Sequence, residues 1–139
     1  MTDPVPPRNS AMAVAASALK AQQSRMRVIA ENIANAQSTS PVAGGEPYRR
    51  QIPVFQAREI DGATGVTLAE VRPDQSDFRS EYDPSHPAAN AEGYVLRPNV
   101  DTLVEAMDMR EAQRAYEANL NVIETARSMD ARTLDILKK

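Results

Sequence analysis

Cysteine is absent from this 139-residue sequence, and so is tryptophan. Without cysteine there are no disulfides, thiolate metal sites or cysteine nucleophiles. Histidine occurs once, as His86. That excludes a histidine-cluster zinc site and leaves any Ser-His-Asp triad dependent on this one residue. The five glycines fit neither phosphate-binding pattern, G-x-x-x-x-G-K-[ST] or G-x-G-x-x-G, and Gly44-Gly45 runs into Glu46-Pro47. No apolar run approaches the roughly 20 residues of a membrane-spanning helix. Aromatics are few, two Phe and four Tyr, so the core has to come from Ala, Val, Ile, Leu and Met. Neither sign of charge dominates: 16 Lys and Arg stand against 19 Asp and Glu. That balance argues against nonspecific nucleic-acid binding. The inventory points to no cofactor, no metal and no small-molecule substrate.

What is present divides the chain into segments. Residues 1–10 are polar and proline-rich and are expected to form an extended stub, with Asn9 or Ser10 capping the helix that follows. Ala16-Ser17-Ala18 imitates a signal cleavage site, but the basic start and preceding apolar stretch of a secretory signal are missing. Residues 11–36 read as a helix. Met12, Leu19, Met26 and Ile33 recur every seven residues, with Ala15 or Ala16, Gln22 and Ile29 between them. Asn32 and Asn35 sit one turn apart near its end, where asparagine often closes a helix in the left-handed conformation.

Residues 37–98 hold seven of the ten prolines and all five glycines, which excludes a long helix there. Strands are expected over residues 48–55, with Pro53 confining that strand to an edge, over 66–71, and briefly over 94–96; Asp61-Gly62 with Gly65 forms the first turn. Residues 99–139 contain no Pro or Gly, and 99–137 read as one helix of about 55 Å. Ala115, Val122, Met129 and Ile136 are seven apart, and Val104, Ala118 and Thr125 lie on the intermediate row, spaced by multiples of seven. Tyr116, Leu120, Ile123, Leu134 and Leu137 widen the stripe to a second flank. Asn99, Asp101 or Thr102 is the candidate cap, and Thr102-x-x-Glu105 matches a capping box. The expected fold is mainly α: two antiparallel, coiled-coil-like terminal helices flanking a small β-rich insertion. The first helix is too short to cover the second, so part of the long helix has to meet other chains or the insertion.

The polar residues favour plain roles. His86, in Ser85-His86-Pro87, reads as a turn residue rather than a catalytic base. Glu105, Asp108 and Glu111 lie three apart and read as a solvated charged face. Tyr48-Arg49-Arg50 reads as a surface strand touching a partner, and Met107, Met109 and Met129 as interchain packing. Asn32 and Asn35 either satisfy chain ends locally or bond across subunits.

Taken in order, these residues resemble a known family. Glu31-Asn32-Ile33-Ala34-Asn35-Ala36 after an Ala-rich helix is similar to the amino-terminal signature of bacterial flagellar rod and hook proteins. Tyr82 through His86-Pro87, then Ala91-Glu92-Gly93-Tyr94-Val95 and Pro98-Asn99-Val100-Asp101, resemble the proximal-rod branch of the basal-body rod proteins. Met107 to Asn119, containing Arg114-Ala115-Tyr116-Glu117-Ala118-Asn119, is similar to that family's E-A-x-R-A-Y-x-A-N block. The resemblance implies a structural, non-catalytic subunit, exported through the flagellar type III channel without a cleaved signal and stacked helically into the periplasmic rod. Its implied partners are copies of itself, other rod subunits and the membrane-ring or export-gate region at the rod base. The ten-residue stub departs from a family whose chains often start close to the first helix. A distal-rod or hook relative, or a soluble helical adaptor, is the alternative.

Overall fold

The computed structural model of the chain describes residues 8–138. The elements run α1 (Arg8–Ala34), β1 (Gln51–Ile60), β2 (Ala63–Pro73), β3 (Arg79–Tyr82), β4 (Tyr94–Arg97) and α2 (Thr102–Leu137). The chain is mainly helical with a small β insertion, as the proline and glycine distribution implies. Residues 1–7 of the expected stub lie outside the described residues. Asn9 and Ser10 fall inside α1 rather than at its cap. Ser10 is buried because its hydroxyl donates to the Asp61 carbonyl (2.8 Å), a long-range tie that the local pattern does not disclose.

β1 and β2 form one antiparallel hairpin that is longer than the expected strands. Its two-residue turn is Asp61-Gly62, with φ of 48° and 82°. Both residues sit in the left-handed region, the geometry that Asp-Gly turns supply between strands. The register shifts once, between Val54 and Phe55, one residue from Pro53. In a two-stranded ribbon both strands are edges, so Pro53 costs no interior ladder bond. The hairpin lies along α1. Gln51 is beside Asn32, the Val66 N–H reaches the Ser17 hydroxyl (3.2 Å), and the turn meets Ser10. Gly65 makes this approach possible: a Cβ there would lie 2.8 Å from the Ser17 hydroxyl oxygen and 2.5 Å from Ile60.

β3, which the alternation pattern does not reveal, pairs with β4 in a second, separate two-stranded sheet. Between them the chain turns at residues 83–93, closed by the Asp83 N–H donating to the Gly93 carbonyl (2.9 Å).

The two helices are antiparallel. Arg25 pairs with Glu111 (3.5 Å), while the carboxyl end of α1 lies near the amino end of α2 through Arg50. The buried helix positions are small or β-branched: Ala15, Ala21, Val28 and Ile29 on α1, of which Ala21 faces the hairpin, and Ala112 on α2. At 100° per residue these α1 positions fall within one arc of about 140°. At 1.5 Å per residue, α1 spans about 40 Å and α2 about 54 Å, so the last turns of α2 run past the start of α1. Leu134, Ile136 and Leu137 there are exposed. Hydrogen exchange on the isolated chain is expected to show protection over residues 105–118 and much faster exchange beyond residue 125, because helices gain their stability from a covered face. Uniform protection to residue 137 would contradict this division.

Candidate functional site

The polar residues of the chain converge where α1 ends, β1 begins and α2 starts. Asn32, 1% exposed, faces the lead-in to β1. Its side-chain oxygen accepts from the Gln51 N–H (2.9 Å) and the Tyr48 hydroxyl (2.7 Å), and its amide donates to the Gln51 carbonyl (2.9 Å). One side chain thus does for Gln51 what a neighbouring strand would do. Burial, followed by the charges of Glu31 and Glu105, pushes the Tyr48 phenol above its ordinary value of 10.0.

Asn99 grips the same segment from the α2 side. Its oxygen accepts from the Arg50 N–H (2.7 Å), and its amide donates to the Asp74 and Ser76 carbonyls (3.1 Å each) and the Ser76 hydroxyl (3.0 Å). Between the two asparagines lies Arg50. Its guanidinium pairs with Glu105 through Nε, with Asp74 at 3.2 Å and with Asp108 at 4.0 Å. Arg49 donates to the Asp74 (2.8 Å) and Ser76 (3.0 Å) carbonyls and stacks 4.1 Å over the Phe78 ring.

Two expectations are corrected here. The Arg49-Arg50 pair is committed inside its own chain and is not a patch turned to a partner. Glu105 is 1% exposed rather than solvated, because the guanidinium draws it in. Its carboxylate is therefore spent on Arg50 and does not complete a capping box. Asp101 caps α2 alone, accepting from the Leu103 (3.0 Å) and Val104 (3.4 Å) N–H groups. The missed signal was complementary: a basic pair at 49–50 and acids at 105 and 108 that the fold could join.

The other motif residues have local tasks. Asn35 does not enter the left-handed region; it closes α1 by donating its amide to the Glu31 carbonyl (2.9 Å). The His86 Nδ1 accepts from the Ala88 N–H (3.0 Å), a turn role, and among the described residues no acid is paired with its other nitrogen. Pro87 is exposed in that turn, and Pro98 is buried just before α2. Gly93 has φ of 90°, and a Cβ there would lie 2.9 Å from the ring of Tyr82, whose edge meets Tyr94. Asn119 donates to the Ala115 carbonyl (2.8 Å), Tyr116 is half-buried and Arg114 exposed. Among the described residues no group of three or more His, Asp or Glu side chains is placed to hold a metal ion.

The seam positions behave differently. On α1, Met12, Leu19 and Met26 are half-buried and Ile33 is exposed. On α2, Ala115 is half-buried, whereas Val104, Ala118, Val122 (50% exposed), Met129 (50%) and Ile136 (74%) face outward. The face that meets α1 instead carries Glu105, Ala112, Tyr116, Asn119 and Ile123, about 100° round the helix. α2 therefore has two apolar stripes, one covered within the chain and one open.

The junction generates two predictions. Glu105→Ala strands the Arg50 guanidinium beside a cavity and is expected to lower the unfolding free energy by about 3 kcal/mol in urea titrations. Asp74 accepts the Ser76 N–H, which lowers its carboxyl below the ordinary 3.8 against the opposing effect of burial, with the Ser76 hydroxyl and Arg50 lowering it further. A depressed carboxyl stabilises the fold above its unfolded value and loses that contribution as pH falls through its folded value. Stability is thus expected to fall as pH drops below about 3.8, and Asp74→Asn to flatten that fall in acid urea titrations.

The comparisons with known proteins agree with this arrangement of two helices about an insertion. Residues 12–40 match the family described as flagella basal body rod protein, and residues 91–136 match the carboxyl-terminal family of flagellar basal body rod FlgEFG proteins. Over whole chains, the flagellar basal-body rod protein FlgC of Agrobacterium fabrum is 46% identical over 95% of this chain and 96% of its own. FlgC of Escherichia coli O6:H1 is 43% identical over 88% and 92%, and FlgC of Bacillus subtilis 39% identical over 90% and 95%. Identity at this level across nearly the full length, through the insertion as well as the helices, separates the FlgC branch from relatives that share the terminal helices: the chain belongs to the flagellar basal-body rod protein FlgC family.

Proposed function

We propose that this chain is a structural subunit of the proximal flagellar rod, held in the rod by its terminal helices and performing no catalysis. The observation that carries the reading is the open stripe on α2. Val122 and Met129 are half exposed and Ile136 largely so, all on a face that none of the described residues covers. Apolar surface repeated at seven-residue spacing is what helices bury against other helices. Met12, Leu19, Met26 and Ile33 on α1 offer a matching row.

Copies of this chain and other rod subunits would supply the covering helices, with the membrane-ring or export-gate region at the rod base as a further neighbour. The chain would reach the basal body through the flagellar type III export channel, without a cleaved signal. In this reading residues 11–36 and 99–139 form the assembling helical unit and residues 37–98 lie further from the rod axis. The Arg50 junction fixes the angle between them, a geometric task suited to transmitting torque.

The test is substitution on the open stripe. Val122→Asp and Met129→Asp place a charge where assembly would desolvate it without a partner. Both are expected to abolish swarming while leaving the thermal unfolding of the isolated chain within a few degrees of the parent, since these sites are half exposed there. Glu117→Gln is expected to change neither. Normal swarming with Val122→Asp would remove the stripe from the assembly interface.

A further inference from the structure

A groove of about 380 Å³ separates α1 from the hairpin, a volume that accepts a group of ligand size. Half-buried Ile60, Val66 and Leu68 line it together with exposed Lys20, Arg27 and Arg58. Among the described residues no Asp or Glu lines it, and none of the three cations is paired with a carboxylate. Like charges gathered along one groove repel each other and are relieved by an anion.

The opposite arrangement sits at the β3–β4 corner. Residues 80–96 carry Glu81, Asp83 and Glu92 and no Lys or Arg. Glu81 is occupied by Arg97 (3.0 Å). The Asp83 carboxylate accepts the neighbouring Ser85 hydroxyl, and among the described residues neither Asp83 nor the exposed Glu92 is in an ion pair. Beside them the Tyr82 and Tyr94 rings meet edge to face, centroids 5.3 Å apart, both exposed. Gly93 lets the turn press against Tyr82, so the aromatic pair is held and not free to fold away. Fixed, exposed tyrosines flanked by charge are what anchors of protein interfaces look like.

We propose that the Tyr82–Tyr94 corner of one copy, with Asp83 and Glu92, docks in the Lys20–Arg27–Arg58 groove of a second copy. The inference rests on the reading that the chain assembles with copies of itself. The tyrosine rings would cover Ile60, Val66 and Leu68 while the carboxylates neutralise the rim. A pair joined by one such contact leaves a free groove and a free corner at its ends, and contacts of that kind propagate into rings or helices.

The chain has no cysteine, so introduced pairs report cleanly. Full-length Arg58→Cys and Glu92→Cys chains, mixed and oxidised, are expected to give disulfide-linked dimer at about fivefold or more the yield of an Arg72→Cys and Glu92→Cys mixture, falling to the control level in about 1 M salt where charges are screened. Adding Arg27→Glu to the groove chain is expected to lower the yield similarly. A yield equal to the Arg72→Cys control, or one indifferent to both salt and Arg27→Glu, overturns the contact. The rod-subunit reading is tested separately by swarming of the Val122→Asp strain, so a failed cross-link removes the groove contact alone.

Discussion

The Arg50 guanidinium and the Glu105 carboxylate tie together three parts of the chain that are distant in sequence. Arg50 leads into β1, Glu105 is in the first turns of α2, and Asp74 follows β2. Taking these charges out of water is costly and is offset only by close pairing with further hydrogen bonds. Arg50 has Asp74 as a second partner, and Asn32 and Asn99 hold the backbone on either side of it. The ends of α1 and α2 and the base of the hairpin are therefore fixed at one point, and the direction of every element follows from it.

From that point the helices diverge in what they bury. α1 presents alanines and Val28 and Ile29 inward, and lays its other side against the hairpin through Ser10, Ser17 and Gly65. α2 buries little beyond Glu105 and Ala112 and keeps its seven-residue row of Val122, Met129 and Ile136 open. A small-residue core is thin, and thin cores leave stability to be completed by neighbours. The proposed assembly role accounts for the uncovered stripe: apolar surface that would stabilise a solitary protein would instead be covered by neighbouring subunits.

The residues that carry the family likeness do no chemistry in this structure. Asn32 and Asn99 act as backbone clasps, Asn35 and Asn119 bond back along their helices, His86 supports a turn, and Gly93 admits a tyrosine ring. Each fixes an angle or a distance. In a protein whose work is mechanical, such side chains are as specific to function as a catalytic base is in an enzyme.

The amino-acid sequence by itself determined the two helices, the break between them and the Asp61-Gly62 turn, because periodicity, proline and Asp-Gly geometry act over a few residues. It also marked Asn32 and Asn99 through a family likeness. It misplaced the start of α1, it offered a Thr102–Glu105 capping box that does not form although Asp101 was among its candidate caps, and it left β3 unseen, because those depend on contacts far away in the chain. Ser10 joins the helix because Asp61 accepts its hydroxyl, and Glu105 abandons the capping box because Arg50 is near. Which of the two stripes on α2 faces α1 was likewise decided by tertiary structure. Both have the right spacing, and the anchor at Arg50, with the Arg25–Glu111 pair and buried Ala112, turns one inward and leaves the other open.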